Sequence, residues 1–75
     1  MNKQRRKSIN DCIKTLESIK NNIENILSDE EYYFDNMPEN LQGSIRGETS
    51  EEAIESLNDA VDCLSDCISS LEEIL

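Results

Sequence analysis

The sequence predicts an all-α protein in which two helices fold back on each other as an antiparallel, coiled-coil-like hairpin. In residues 9–27 and again in residues 54–75, apolar side chains recur at alternating spacings of three and four, as in a helix-packing seam. Pro38 and two glycines lie between these stretches. With 75 residues there is room for one domain with a thin core, so we expect two hairpins to form a dimeric four-helix bundle.

The first helix is predicted at about residues 3–35. Six residues occupy the a and d positions of its seven-residue frame, lettered a to g: Ile9, Cys12, Leu16, Ile19, Ile23 and Ile26. Ile13 and Leu27 widen this seam at e, and the frame continues through Glu30, Tyr33 and Phe34. We expect the seam to loosen at the Glu30 carboxylate. The helix ends near Asp35, because the residue before Pro38 is pushed out of the helical region.

The connection is predicted at about residues 36–48 and the second helix at about 49–75. Thr49 with Glu52 matches a capping box and is the favoured start, whereas a start at Ser44 would place Gly47 inside the first turns. The second seam comprises Ile54, Leu57, Val61, Leu64, Ile68, Leu71 and Leu75. Smaller apolar residues follow it at g: Ala53, Ala60, Cys67 and Ile74.

Pairing the two seams antiparallel gives specific expected contacts. These are Leu16 with Ile68, Ile19 with Leu64, Ile23 with Val61, and Ile26 with Leu57. In such a pair e positions meet e and g positions meet g, so the apolar e flank of the first helix faces polar residues of the second. The apolar g flank of the second helix is likewise unmatched. Burial of both flanks against a second hairpin favours a homodimer, the alternative being a monomer with half-buried flanks.

Charge is distributed unevenly along the chain, whose formal net charge is -10. Six cations against two carboxylates give residues 1–20 a charge of +4, while Arg46 alone opposes 15 carboxylates in residues 21–75, giving -14. A candidate acidic face comprises Glu51, Glu55, Asp59, Asp62 and Asp66. A candidate basic arm comprises Lys3, Arg5, Arg6 and Lys7. The acidic bulk repels nucleic acid and anionic lipid, so we expect neither as a direct partner.

The basic arm has two interpretations. It is a phosphate-contacting arm, or its cations are neutralised by carboxylates at the end of the second helix; the second interpretation is favoured. Those carboxylates are Asp62, Asp66, Glu72 and Glu73.

Catalytic and metal sites are not expected. Without histidine or a glycine-rich phosphate loop, the usual nucleophilic and nucleotide-binding arrangements are missing, and exposed carboxylates lack the burial that acid catalysis needs. Cys63 and Cys67 are four apart on one helix, and Cys12 is the third cysteine. One such pair falls short of a zinc motif, so the cysteines are predicted to fill space on or beside the seam. We expect no enzyme activity, cofactor or metal.

Three further features of the sequence bear on where the protein is located in the cell. No apolar run approaches the ~18 residues of a membrane-spanning helix. The basic start is not followed by the apolar core of a signal peptide. An odd number of cysteines at helical spacing also fits a reducing compartment better than a disulfide framework, so we expect a cytoplasmic protein.

The connection is the candidate interaction loop. Large apolar groups and the isolated arginine cluster there: Tyr32, Tyr33, Phe34, Met37, Leu41, Ile45 and Arg46. Aromatic residues, methionine and arginine are enriched in binding hot spots. The alternative is that several of them only cover the open end of the core.

Four segments together resemble a group of uncharacterised small acidic helical proteins of phages, prophages and conjugative elements in Firmicutes and gut bacteria. They are the basic opening Asn2–Lys7, the connection Tyr33–Gln42, the segment Ser44–Glu48 and the ending Leu71–Ile74. The resemblance covers nearly the full length, and its connection motif is the most specific part. It implies an accessory protein of a mobile element and implies no chemistry.

The favoured functional hypothesis is a non-catalytic interaction protein or regulator that binds a host or phage protein through its loop or acidic face. One alternative is a DNA mimic, whose carboxylates occupy a nucleic-acid-binding protein. Another is a nucleic-acid binder that uses the basic arm. A pocket for a small nucleotide between two chains is a further alternative.

Overall fold

The computed structural model describes residues 1–75 and contains three helices. They are α1, Lys3–Asp35; α2, a single turn at Glu39–Gln42; and α3, Ile45–Glu72. The long helices α1 and α3 pack against each other along a body of 58 × 15 × 13 Å. They are antiparallel, since Glu30 of α1 bonds to Ser50 near the start of α3, and Leu16 lines a groove with Leu71 near its end. The predicted helical hairpin is therefore confirmed.

The first helix occupies the predicted range. Asn2 has extended backbone angles and caps the helix, because its Oδ1 accepts a hydrogen bond from the Arg5 amide at 2.8 Å. At the other end Asn36 closes the helix, and both its backbone amide and its side-chain Nδ2 donate to the Tyr32 carbonyl. The cap at Asn2 stabilises a start that the flanking cations would otherwise disfavour.

The face of α1 that packs on α3 differs from the predicted one. The side chains turned toward α3 occupy positions a and e, and Ile13 and Leu27 at e are buried. At d, Ile19 is 43% and Ile26 54% exposed, and Cys12 and Tyr33 are exposed too. The predicted pairs that use Ile19 and Ile26 are therefore wrong, as is the prediction that the e flank stays uncovered.

The face of α3 agrees with its predicted seam. Residues from Ile54 to Leu71 at a and d are buried or half-buried, whereas Leu75 is exposed. The seam extends further toward the tip than predicted, through the buried residues Gly47 and Ser50. Small residues at these two positions allow the backbones of α3 and the connection to approach closely.

The predicted start of the second helix at Thr49 is wrong. Ser44 is the N-cap: its hydroxyl accepts from the Gly47 amide at 3.5 Å and donates to the Leu41 carbonyl. Thr49 lies one turn inside the helix, where its hydroxyl donates to the Ile45 carbonyl at 2.8 Å. The connection is correspondingly shorter, and eight of the thirteen residues predicted for it are helical.

Candidate functional site

The tip of the hairpin is held by a small set of hydrogen bonds to backbone carbonyls. The Gln42 side-chain amide donates to the carbonyls of Phe34 and Met37, both at 3.2 Å. Pro38 opens α2, and its carbonyl accepts from the amides of Leu41 and Gln42. These contacts tie the single turn α2 to the end of α1, so the tip has a defined shape even though it lies between two long helices.

Five of the seven predicted loop residues line one shallow groove at this tip. Its lining is Tyr32, Tyr33, Asn36, Met37, Pro38, Leu41 and Arg46, and its volume is about 350 Å³. Tyr32 is 73% exposed, and Leu41 and Tyr33 are also exposed. Ile45 lies outside this groove and is 82% exposed. An isoleucine so open at the first position of α3 contributes almost nothing to the core of one chain.

The remaining loop residues serve the core. Met37 is 8% exposed and Phe34 is half-buried, so these two cover the end of the interface between α1 and α3. The predicted loop thus divides into two residues that close the core and five that face solvent. Phe34 and Met37 fit the interpretation that the loop covers the core, whereas a contact role for the five exposed residues stays a prediction.

The acidic face of α3 meets further carboxylates of α1 across a second groove. This groove of about 510 Å³ is lined by Glu31, Phe34, Asp35, Glu51, Ile54, Glu55, Asn58 and Asp59. Glu51, Glu55 and Asp59 belong to the predicted face, whereas Asp62 and Asp66 lie further along α3 and outside the groove. The chain's one ion pair is elsewhere, so no cation of the chain neutralises these carboxylates.

The basic arm forms the first turns of α1. Its four cations are exposed, and only Lys7 has an acidic partner, Asp11 at 3.5 Å in the same helix. The predicted neutralisation by the carboxylates at the end of α3 is wrong. The long cationic side chains extend into solvent instead.

The cysteines do not fill the core. Cys12, Cys63 and Cys67 are all free and exposed, contrary to the prediction that they fill space on or beside the seam. No group of three or more histidine, cysteine or acidic side chains is placed to hold a metal ion. No helix combines the length and apolar character needed to cross a bilayer.

Some residues that shape these grooves were not predicted from the sequence. Glu31 and Asp35 line the acidic groove, although neither belongs to the predicted acidic face. Gln42 and Asn36 shape the tip through their side-chain amides. No spacing pattern marks a single amide that bonds to carbonyls five and eight residues away, so only the folded chain identifies Gln42.

No protein-family model, curated protein or solved structure matches this chain.

Proposed function

We propose that the protein is a non-catalytic interaction module whose tip binds a protein partner. The proposal rests on the large apolar side chains that the tip exposes to solvent, above all Tyr32 and Ile45. Tyrosine combines a large contact area with few rotatable bonds and a hydroxyl that can bond to a partner, so it loses little entropy on binding. Tyr32 belongs to α1 and Ile45 to α3, so both side chains project from helices and not from an irregular loop.

The charge around the tip indicates the chemistry of that partner. Arg46 is the only cation in residues 21–75, and the neighbouring carboxylates include Glu31, Asp35 and Glu51. A complementary surface has an apolar centre that receives Tyr32 and Ile45, with a basic rim around it. The basic rim of the partner would raise the rate of association with the acidic tip, and the apolar contacts would supply most of the affinity.

In this proposal the protein acts in the cytoplasm as a regulator encoded by a phage or another mobile element. The resemblance of the connection at Tyr33–Gln42 to such proteins supports this origin. The grooves are shallow, and the chain offers no histidine and no buried carboxylate pair for acid–base chemistry. Binding and not turnover is therefore the activity to test.

Photo-crosslinking in the native cell tests the tip. A photoreactive p-benzoylphenylalanine replaces Tyr32 in one variant and Ile45 in another, and Asn21 in the control, which is exposed at the middle of α1. We expect both tip variants to give the same protein adduct, and excess unlabelled wild-type protein to suppress it. Adducts that are equally abundant from Asn21, or that differ between the two tip positions, would exclude the tip as the binding site.

A second candidate function is mimicry of nucleic acid by the acidic groove. It is favoured by the convergence of five carboxylates from two helices on one groove with no cation of the chain beside them. Such an array attracts the phosphate-binding surface of a DNA- or RNA-binding protein. The partner would then bind along the groove and not at the tip.

Charge-neutral variants distinguish the two functions once a partner is captured. The test variant combines Glu51→Gln, Glu55→Gln and Asp59→Asn, and the control combines Glu17→Gln, Glu24→Gln and Glu39→Gln, so both remove three negative charges. Mimicry predicts that only the test variant loses affinity and salt sensitivity, and that a DNA duplex competes with the wild-type protein. Equal affinity of both variants with no competition by DNA leaves the tip as the site.

A further inference from the structure

The carboxylates of α3 are confined to one side of the helix, while its single cation, Arg46, lies at position g on the other side. All eight of its carboxylates occupy positions b, e and f of the seven-residue frame: Glu48, Glu51, Glu52, Glu55, Asp59, Asp62, Asp66 and Glu72. Positions c and g from Thr49 onward are uncharged and mostly small: Thr49, Ala53, Ser56, Ala60, Cys63, Cys67, Ser70 and Ile74. If solvent surrounded both flanks of α3, nothing in the fold of one chain would require its carboxylates and its small uncharged residues to lie on separate sides.

The middle of α1 shows the same separation. Between residues 12 and 26 its four charged residues lie at b, e and f: Lys14, Glu17, Lys20 and Glu24. Positions c, d and g of that stretch are uncharged: Cys12, Thr15, Ser18, Ile19, Asn22, Asn25 and Ile26. The charged sides of both helices coincide, because one groove is lined by Glu17 and Lys20 of α1 together with Ser65 and Glu72 of α3.

The opposite side of the hairpin, which we call the uncharged face, carries few charges: Arg5, Asp11 and Asp29 of α1 and Arg46 of α3. We define it by the exposed d residues of α1 and the g residues of α3: Cys12, Ile19, Ile26, Tyr33, Ala53, Ala60, Cys67 and Ile74. A groove of about 470 Å³ on this side is lined by Asp11, Cys12, Thr15, Leu16 and Leu71. Ile19, Ile26 and Tyr33 recur every seven residues, so they form a continuous apolar row along α1.

One hairpin also exposes more surface than a chain of its mass should. It has 5637 Å² of accessible surface, about 900 Å² more than the roughly 4,700 Å² expected for a compact monomer of 8.6 kDa. Its radius of gyration is 17.1 Å, against about 11 Å for a compact chain of this length. A standard interface buries about 800 Å² on each partner, so the excess matches what one interface would remove.

We propose that the uncharged face binds a second copy of this chain, with α1 antiparallel to α1 of the copy. The charges of the two ends of the hairpin select this orientation. Residues 1–20 carry +4 and residues 60–75 carry four carboxylates and no cation, so the free ends sum to zero. Residues 21–59 carry 11 carboxylates and Arg46, giving -10. Tips placed side by side repel, whereas antiparallel copies set each acidic tip beside the basic start of the other α1.

The spacing of the apolar row fits a two-fold axis through the middle of α1. An axis between Asn22 and Ile23 sets Ile19 against Ile26 of the second copy, and Cys12 against its Tyr33. Residues at positions d and g then form the contact between the two α1 helices, and α3 packs on α3 of the copy through its small residues. The result is a four-helix bundle in which the tip residues Tyr32 and Ile45 stay at opposite ends, while Tyr33 of the tip groove takes part in the contact between the copies.

Solution mass measured by light scattering during size exclusion tests the association. From low micromolar to submillimolar concentration we expect twice the 8.6 kDa of one chain. Ile19→Glu combined with Ile26→Glu should abolish the dimer, because it places charges at the centre of the contact. The matched control combines Asn21→Glu with Ser28→Glu, which adds the same charge at exposed positions of the charged side and should remain dimeric.

Two outcomes would overturn the proposal: a wild-type monomer across the whole range, or equal masses for the test and control variants. Circular dichroism checks that each variant keeps its helices. Should the glutamate variant unfold, Ile19→Ser with Ile26→Ser provides the milder change, and the same loss of the dimer is expected.

A cysteine cross-link tests the orientation separately. In a background with Cys12→Ser, Cys63→Ser and Cys67→Ser, oxidised Asn22→Cys should form a covalent dimer, since this residue lies next to the two-fold axis. Thr15→Cys should not, because its thiols lie about 20 Å apart, well beyond disulfide reach. Copies with both tips at one end would place α1 on α3 and give neither cross-link. Absence of the Asn22→Cys dimer would thus refute the antiparallel arrangement, whatever the result at the tip.

Discussion

Ser50 of α3 donates a hydrogen bond from its hydroxyl to Oε2 of Glu30 on α1, with 2.5 Å between the oxygens. It is the only side-chain hydrogen bond that joins the two long helices. Ser50 is 3% exposed and Glu30 is half-buried. A polar pair therefore occupies a part of the seam near the tip that apolar side chains would ordinarily fill. Instead of loosening the seam, Glu30 fixes which turn of α1 faces the first turns of α3.

Ser50→Ala should lower the free energy of unfolding by about 1 kcal/mol, because the half-buried carboxylate loses its donor. Glu30→Gln should cost less, since its amide oxygen can still accept the bond. Replacing both residues, with Glu30→Leu and Ser50→Ala, should restore or exceed wild-type stability. Urea unfolding followed by circular dichroism at one protein concentration measures all three. A double variant that is as unstable as Ser50→Ala or less stable would contradict this coupling.

At Gly47 the backbone of the connection lies close against α3. A Cβ at this residue would lie 2.0 Å from the Gln42 carbonyl oxygen and 2.4 Å from its carbon, both in the backbone. Gly47→Ala should therefore displace the connection and lower the free energy of unfolding by about 2 kcal/mol or more.

The control for this variant is Gly43→Ala. A Cβ at Gly43 meets nothing within 4 Å, so stability should stay level or rise by about 0.5 kcal/mol through the loss of freedom in the unfolded chain. Equal effects at the two glycines would mean that Gln42 does not pack against Gly47. The comparison uses the same urea titration.

Gly47 also shows why the start of α3 could not be predicted from the sequence. Glycine inside a helix is unfavourable by propensity, which favoured a start after it at Thr49. The close approach of Gln42 reverses that preference, and it depends on contacts between residues that local patterns do not relate. By contrast, the bounds of α1 follow from local signals, namely the seven-residue spacing and the proline after Met37.

The helix cap can be tested with two conservative changes. Ser44→Ala removes the hydroxyl that accepts from the Gly47 amide, and it should lower the free energy of unfolding by about 1 kcal/mol. Thr49→Ala removes only a bond to a carbonyl that is already part of the helix, so its effect should stay within about 0.5 kcal/mol. A larger loss at Thr49 than at Ser44 would place the start of the helix where the sequence pattern put it.

Which face of α1 packs on α3 could likewise not be predicted from the sequence. Two adjacent rows are apolar, one through Ile13 and Leu27 and the other through Ile19 and Ile26. The spacing of the second row is cleaner, since Lys20 interrupts the first. In the fold Lys20 is half-buried and its aliphatic stem can cover the seam while its ammonium reaches solvent, so the interruption costs little. The sequence located two surfaces on α1 but could not assign which one binds α3.

The two rows should respond differently to truncation. Ile13 is 7% exposed within one hairpin, so Ile13→Ala should lower the free energy of unfolding by about 2 kcal/mol or more at every protein concentration. Ile19→Ala truncates a side chain that is 43% exposed in one hairpin and that the second copy would cover in the proposed dimer. Its loss should be small in dilute solution and should grow with concentration, because association adds to stability by mass action. Thermal unfolding at several concentrations separates these behaviours. A concentration-independent loss at Ile19 as large as that at Ile13 would place both rows in the core of a single chain.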